Sequence, residues 1–207
     1  MENAYFKLEN SSITREEINE LPLVKFEGPI HVIDSHKQVA NMVKRLLGEQ
    51  VLGFDTETKP SFKRGISHPP ALIQFATEHE AWLFRINGKG IHHSILELLQ
   101  DKNTIKVGVA LHDDIKHLQA VKKFKPSGFL DLATVAHDAG ILKRGLRNMT
   151  GIILGGRLSK SSQLTNWAQS TLTTNQLTYA ATDAWVSLKL FQKFNFRSWI
   201  FLQNPSS

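Results

Sequence analysis

Apolar and polar residues recur along this chain in two different periods. Residues 30–33, 51–57, 71–77, 80–86 and 104–109 are short apolar runs bounded by turn-forming or charged residues, the pattern of buried or half-buried strands. Residues 35–47, 91–100 and 111–123 instead repeat apolar side chains every three or four positions, as helices do. From Asp131 onward the pattern is almost all helical and ends in a long helix over 174–194. Three helix starts carry their own punctuation. Thr14 with Glu17, Ser35 with Gln38, and Thr173 with Gln176 have capping-box spacing. Ile13 and Ile18 staple the first of these, and Leu172 and Leu177 the third. Pro22 and Gly28-Pro29 break the chain after the first helix. The expected division is an N-terminal extension over 1–28 with one short helix, a main domain over 29–197, and a tail over 198–207. Strands with interspersed helices, followed by a helical C-terminal half, predict an α/β fold with a mixed sheet flanked by helices.

Against this pattern, three groups of acids stand where a fold does not need them. In the strand 51–57 the period of two sends Asp55 and Glu57 to one face, with Gly53 on the same side. Like charges side by side repel and Asp is a poor strand residue, so a compensating cation fits this pair; a strand with an exposed acidic end is the plainer alternative. In the helix that starts at Leu111, residues Leu111, Ile115 and Leu118 form the buried stripe at about 100° per residue. Asp114 lies beside that stripe and needs a partner, whereas Asp113 points away and suits the helix dipole. In the last helix Tyr179 and Asp183 are stacked one turn apart, next to a core seam of Leu177, Ala181, Ala184, Leu188 and Phe191. Each feature alone is also compatible with an ordinary satisfied side chain.

Composition narrows the chemistry. The 207 residues contain no cysteine, which removes disulfides, thiolate metal sites and a cysteine nucleophile. The nine histidines are scattered without a zinc-like pairing. A hydrophobic content of 41% supports a packed core, and no apolar run approaches the roughly 18 residues of a membrane span. The first ten residues carry Glu2, Lys7 and Glu9 and lack the apolar stretch of a secretory leader, so an intracellular setting is expected: cytoplasmic in a bacterium, nuclear in a eukaryote. The formal charge of +6 suits a polyanionic partner without requiring one.

The order and spacing of these elements together resemble the DEDDy 3′–5′ exonucleases, the group that includes ribonuclease D and the proofreading domains of DNA polymerases. The carriers are Asp55-x-Glu57 on a strand, Asp114 after Val107-Gly108-Val109, and Tyr179-x-x-x-Asp183 in a late helix. The surrounding text is most similar to the Werner syndrome exonuclease subfamily and its bacterial relatives: Gly53 to Glu57, Lys59-Pro60-Ser61, Ala71 to Ala76, Leu158-Ser159-Lys160, Asn166-Trp167, and Gln176 to Ala184. Gly156 departs from it, standing where relatives often carry Lys, with the loss of a backbone contact expected.

The resemblance implies a ribonuclease-H-like sheet of about five strands and a 3′–5′ exonuclease domain over 29–197. It further implies two Mg²⁺ or Mn²⁺ ions held by Asp55, Glu57, Asp114 and Asp183, with Tyr179 orienting the attacking water. Thr56, Phe62, Lys63, Arg64 and Lys160 are the expected nucleic-acid contacts: the 62–64 stretch follows the acidic strand directly, and Lys160 matches a basic position of the family. Trp167 is expected in the core. The implied substrate is a nucleic-acid 3′ end, DNA favoured, with an exoribonuclease of the ribonuclease D type as the alternative and a non-catalytic binding module less favoured, because all four acids and the tyrosine are present. A chain of this length is expected to rely on protein partners for targeting, and no membrane role is expected.

Overall fold

A computed structural model of the chain describes residues 11–61, 68–86, 88 and 90–194. Alternating strand patterns become a six-stranded mixed sheet: β1 (Ile30–Ile33), β2 (Val51–Thr58), β3 (Pro70–Ala76), β4 (Ala81–Arg85), β5 (Ile105–Gly108) and β6 (Phe129–Asp131), in the order β1-β4-β3-β2-β5-β6. The β2–β3 and β3–β4 pairs are antiparallel, and β1–β4, β2–β5 and β5–β6 are parallel. Seven helices accompany it among the described residues: α1 (Arg15–Glu20), α2 (His36–Leu46), α3 (His93–Gln100), α4 (Leu111–Val121), α5 (Leu132–Asp138), α6 (Leu146–Leu154) and α7 (Thr174–Lys193). Among the described residues no helix is long and apolar enough to cross a membrane.

The expectation of about five strands is corrected to six. The extra strand, β6, has only three partly exposed residues and no readable alternation. Its identity comes from parallel pairing with β5 after the turn at Gly128, whose φ of 66° is left-handed. A second correction concerns α2. Ser35 occupies its N-cap, but no side-chain capping bond forms there. The other two capping boxes close as the spacing predicts, with Thr14 to Glu17 and Thr173 to Gln176 each bonded reciprocally.

Period two sorts the strand residues onto two cores. Leu52 and Phe54 join Ile73, Phe75, Trp82 and Phe84 on the face covered by α2, α3 and α4. On the other face, Leu72 and Leu83 pack with Trp167 and Ala180, while Ala76 and Ala81 pack with Ala181 and Ala184 of α7. Trp167 is fully buried, as expected. Helix α7 is buried more widely than a single seam, since Ala180, Thr182, Asp183, Val186, Ser187 and Leu190 are covered as well. It lies this close because position 53 is glycine: a methyl group there would overlap the carbonyl oxygen of Ala184.

Residues 11–28 lie against this body. Ile13 and Ile18 sit over Gly151 of α6, where a Cβ would approach them to 3.2 and 3.3 Å. Leu23 pairs with Arg157, whose Nε donates to the Leu21 carbonyl at 2.9 Å, and the Phe26 N–H donates to the Thr182 hydroxyl at 2.9 Å. A side chain at Gly156 would collide with Val24 of this segment. The departure at 156 is therefore accommodated by the N-terminal segment, which fills the space. One cation is buried inside the sheet: Lys106 of β5 is 0% exposed and donates to the carbonyls of Asp101 and Thr104 at 2.6 and 2.7 Å. Its burial pulls the pKa down to about 8.

Gly53→Ala is expected to force α7 off β2 and to lower stability by about 2–3 kcal/mol, read as a fall in the urea midpoint. An unchanged midpoint would show that the helix–strand contact is not the tight one described here.

Candidate active site

The acidic positions of β2 and α7 converge because the two elements touch. Asp55 and Glu57 project from the α7 face of β2, and the close approach at Gly53 brings Asp183, only 8% exposed, down onto them. One carboxylate oxygen from each of Asp55, Glu57 and Asp183 lies within 4.8 Å of the others. Burial is the main cause of raised pKa values at all three, and at Asp55 and Glu57 the neighbouring acids add to it. Asp183 is pushed up to about 7, with a hydrogen bond from Tyr179 acting in the opposite direction. Among the described residues no ion pair to these carboxylates offsets the repulsion. A cluster of hard oxygen donors with uncompensated charge fits a divalent cation such as Mg²⁺ or Mn²⁺ and suits no softer metal as well.

Asp114 reaches the site from the other side of the sheet. It stands in the first turn of α4 and accepts a hydrogen bond from the Thr56 hydroxyl, which points to the face opposite Asp55 and Glu57. It is therefore outside the tight group of three, yet near enough for its charge to raise Asp55 and Glu57. Asp113, by contrast, is exposed. The start of α4 is fixed by Asp131 at the end of β6. The Ala110 and Leu111 N–H groups donate to its two carboxylate oxygens at 2.9 and 3.0 Å, and the Ala133 N–H of α5 donates to the first of these at 2.9 Å. One carboxylate thus caps two helices, with Ala110 held at a left-handed φ of 59°. Gly108 completes the join, because a Cβ there would lie 2.7 Å from the Phe54 carbonyl oxygen.

Tyr179 stands one turn before Asp183 and donates its hydroxyl to that carboxylate. Its ring packs 6.0 Å from that of the buried Trp167, centroid to centroid, in a tilted arrangement. Burial first, and then the charges of Asp183, Glu57 and Asp55, push the phenol pKa up. Tyr179 is accordingly a neutral donor and has no tendency to act as a base at physiological pH.

Asp55, Glu57, Tyr179 and Asp183 line a cleft of about 550 Å³ shared with Thr56, Arg147, Ser159, Lys160 and Gln163. Of the expected nucleic-acid contacts, Lys160 is on the cleft wall and exposed. Thr56 lines the same cleft, but its hydroxyl is committed to Asp114. Phe62, Lys63 and Arg64 lie outside the described residues. Three participants escape a reading of the sequence. Asp131 has the spacing of an N-cap for its own helix, but nothing marks it as the cap of α4 as well. Gln74 pairs with Asp55 across β2–β3 and is 0% exposed with neither amide atom bonded, a placement that only strand register reveals. Arg147 sits in an ordinary amphipathic stretch and reaches the cleft through the packing of α6.

Comparison with known proteins agrees with this geometry. The chain is 32% identical over 185 residues to the mouse bifunctional 3′-5′ exonuclease/ATP-dependent helicase WRN, covering 84% of this chain but only 13% of that protein. The chain therefore spans a small part of the length of such a relative. The Nibbler EXO domain of Aedes aegypti shares the fold with a TM-score of 0.72 at 24% identity, over 84% of this chain and 90% of that one. RNase D of Escherichia coli does so with a TM-score of 0.72 at 23% identity, over 83% of this chain and 46% of that one. At such identities the two structures establish a common fold. The family assignment rests on the sequence itself: residues 30–197, most of the chain, match the family described as 3'-5' exonuclease, and the chain belongs to that family.

Proposed function

We propose that this chain is a metal-dependent 3′–5′ exonuclease that releases nucleoside 5′-monophosphates from the 3′ end of DNA. The observation that carries the reading is the gathering of Asp55, Glu57 and Asp183 within 4.8 Å beside a neutral tyrosine hydroxyl. A pair of bound Mg²⁺ or Mn²⁺ ions would supply activation of water and neutralisation of charge on the phosphate. Asp55, Glu57 and Asp183 would hold that pair, with Asp114 supporting it from the Thr56 side. Tyr179 keeps its proton on Oη, so it orients water by donating or accepting a hydrogen bond and does not remove the proton itself. Lys160 presents its charge on the cleft wall, where a phosphate chain must pass. DNA is preferred to RNA as substrate because the motif text is most similar to the Werner exonuclease subfamily. The likeness to an RNase D sets the comparison that decides it, matched DNA and RNA strands with Mg²⁺ and Mn²⁺; faster cleavage of RNA would overturn the preference for DNA.

Asp55→Ala is expected to abolish metal-dependent hydrolysis while the protein stays folded, as followed by circular dichroism and nucleotide release. Tyr179→Phe should lower the single-turnover rate ~10–100-fold with little change in oligonucleotide affinity. An unaltered rate in Tyr179→Phe removes the proposed role of its hydroxyl.

The raised carboxylates also predict how stability depends on pH. Asp183 titrates near 7 in the folded protein against an ordinary 3.8, so the folded state holds its proton more tightly than the unfolded chain. That contribution is complete below about pH 4 and is lost as pH rises through about 7. Asp55 and Glu57 act in the same direction. His92, lowered by burial and by the charges of His93 and His36, acts oppositely below its ordinary 6.5. Without divalent ions the Tm should fall between about pH 5 and pH 8, and Asp183→Asn should flatten that fall. Mg²⁺ should raise the Tm most at pH 8, where the cluster is ionised. A Tm indifferent to Mg²⁺ at pH 8 would count against cation binding by these acids.

A further inference from the structure

Among the described residues of the cleft, one cation is aimed by a neutral partner. Arg147 lines the same cavity as Asp55, Glu57 and Asp183, yet no ion pair joins it to any acid among the described residues. Its Nη2 donates to Oδ1 of Asn19 in α1 at 2.8 Å, and its Nε is buried with no hydrogen-bond acceptor. A guanidinium presents five donors in a rigid fork that matches phosphate oxygens. Here an amide oxygen occupies one of them and fixes the plane while leaving the positive charge intact. The element carrying Asn19 is itself firmly placed. Ile18 is 2% exposed, α1 opens with a closed capping box, and the following residues are tied to Arg157.

We propose that Arg147, oriented by Asn19, is a phosphate-binding residue of the cleft, and that the N-terminal helix is thereby a working part of the substrate site. The proposal rests on the exonuclease reading for the identity of its ligand, a backbone phosphate of the strand being trimmed. The acids gather cations on one wall of the cleft, and Arg147 with Lys160 offers positive charge on another. A phosphate chain that approaches the carboxylates is held by both. The donors of the fork that Asn19 does not occupy are the ones such a ligand engages.

The test compares Arg147→Met, Arg147→Lys and Asn19→Asp in the full chain. Hydrolysis of a single-stranded oligonucleotide gives KM and kcat, fluorescence anisotropy of the same oligonucleotide with Ca²⁺ gives affinity, and melting gives Tm. Arg147→Met should raise KM and Kd about tenfold, with kcat changed much less. It should also reduce the slope of log affinity against log salt by about 0.7. Arg147→Lys keeps the charge without the fork, so it should keep the salt slope and recover only part of the affinity.

Asn19→Asp is the decisive variant. It is nearly isosteric and places a carboxylate where it pairs with Arg147. It should weaken substrate binding while leaving the Tm equal or higher, and it should have no further effect in the Arg147→Met background. A purely structural Arg147 predicts the opposite: unchanged Kd and salt slope in Asn19→Asp, and a fall in Tm alone in Arg147→Met. Either of those results overturns the proposal. If the wild-type chain binds the oligonucleotide but does not cleave it, the exonuclease reading fails, and the anisotropy series still decides the role of Arg147.

Discussion

The contact of an α-helix backbone with a β-strand at Gly53 is the constraint on which the rest of the structure depends. The Ala184 carbonyl occupies the space that any side chain at 53 would fill. Because α7 lies on β2 without a side-chain layer between them, Asp183 descends to the level of Asp55 and Glu57. The small residues Ala180, Ala181 and Ala184 continue the close approach along the helix, so the depth is set over about one turn. A normal helix-to-sheet spacing would separate Asp183 from Asp55 and Glu57.

That closeness has an electrostatic cost that shapes the site. Buried Asp183 and half-buried Asp55 and Glu57 repel one another, and the described residues offer them a tyrosine hydroxyl and a backbone N–H of Thr56 but no ion pair. Burial and mutual repulsion favour the protonated forms, and a divalent cation suits such a cluster of hard oxygens. Asp114 is kept on the Thr56 side, supported by a chain of placement that runs from Asp131 through the first turn of α4. The cluster of three and the separate fourth acid are thus positioned by different faces of one strand, with Thr56 between Asp55 and Glu57 serving the opposite side.

The N-terminal segment has its own logic within the same site. Gly151 and Gly156 give α1 and Val24 room to lie against α6 and the segment after it, and Arg157 fastens the chain there. Its partner Asn19 meets Arg147 at the cleft wall. Loss of a side chain at 156, a departure when judged by the family pattern alone, is matched by an added wall of protein.

The sequence by itself determined the elements and the sides of their residues. Period-two spacing placed Asp55 and Glu57 together and Phe54 opposite, helical spacing stacked Tyr179 with Asp183, and two of three capping boxes closed as their residues demand. These properties follow from local geometry, which neighbours in sequence fix. Ser35 shows the margin of even that reading, since its hydroxyl has the right spacing and makes no capping bond. Tertiary structure alone decided the distances between elements. It brought α7 onto β2, recruited 129–131 as a sixth strand, and set Asp114 apart from the other three acids. It also buried Lys106 among carbonyls and turned Arg147 toward Asn19. Each of these results depends on which long-range partner a residue meets, and no period along the chain encodes that partner.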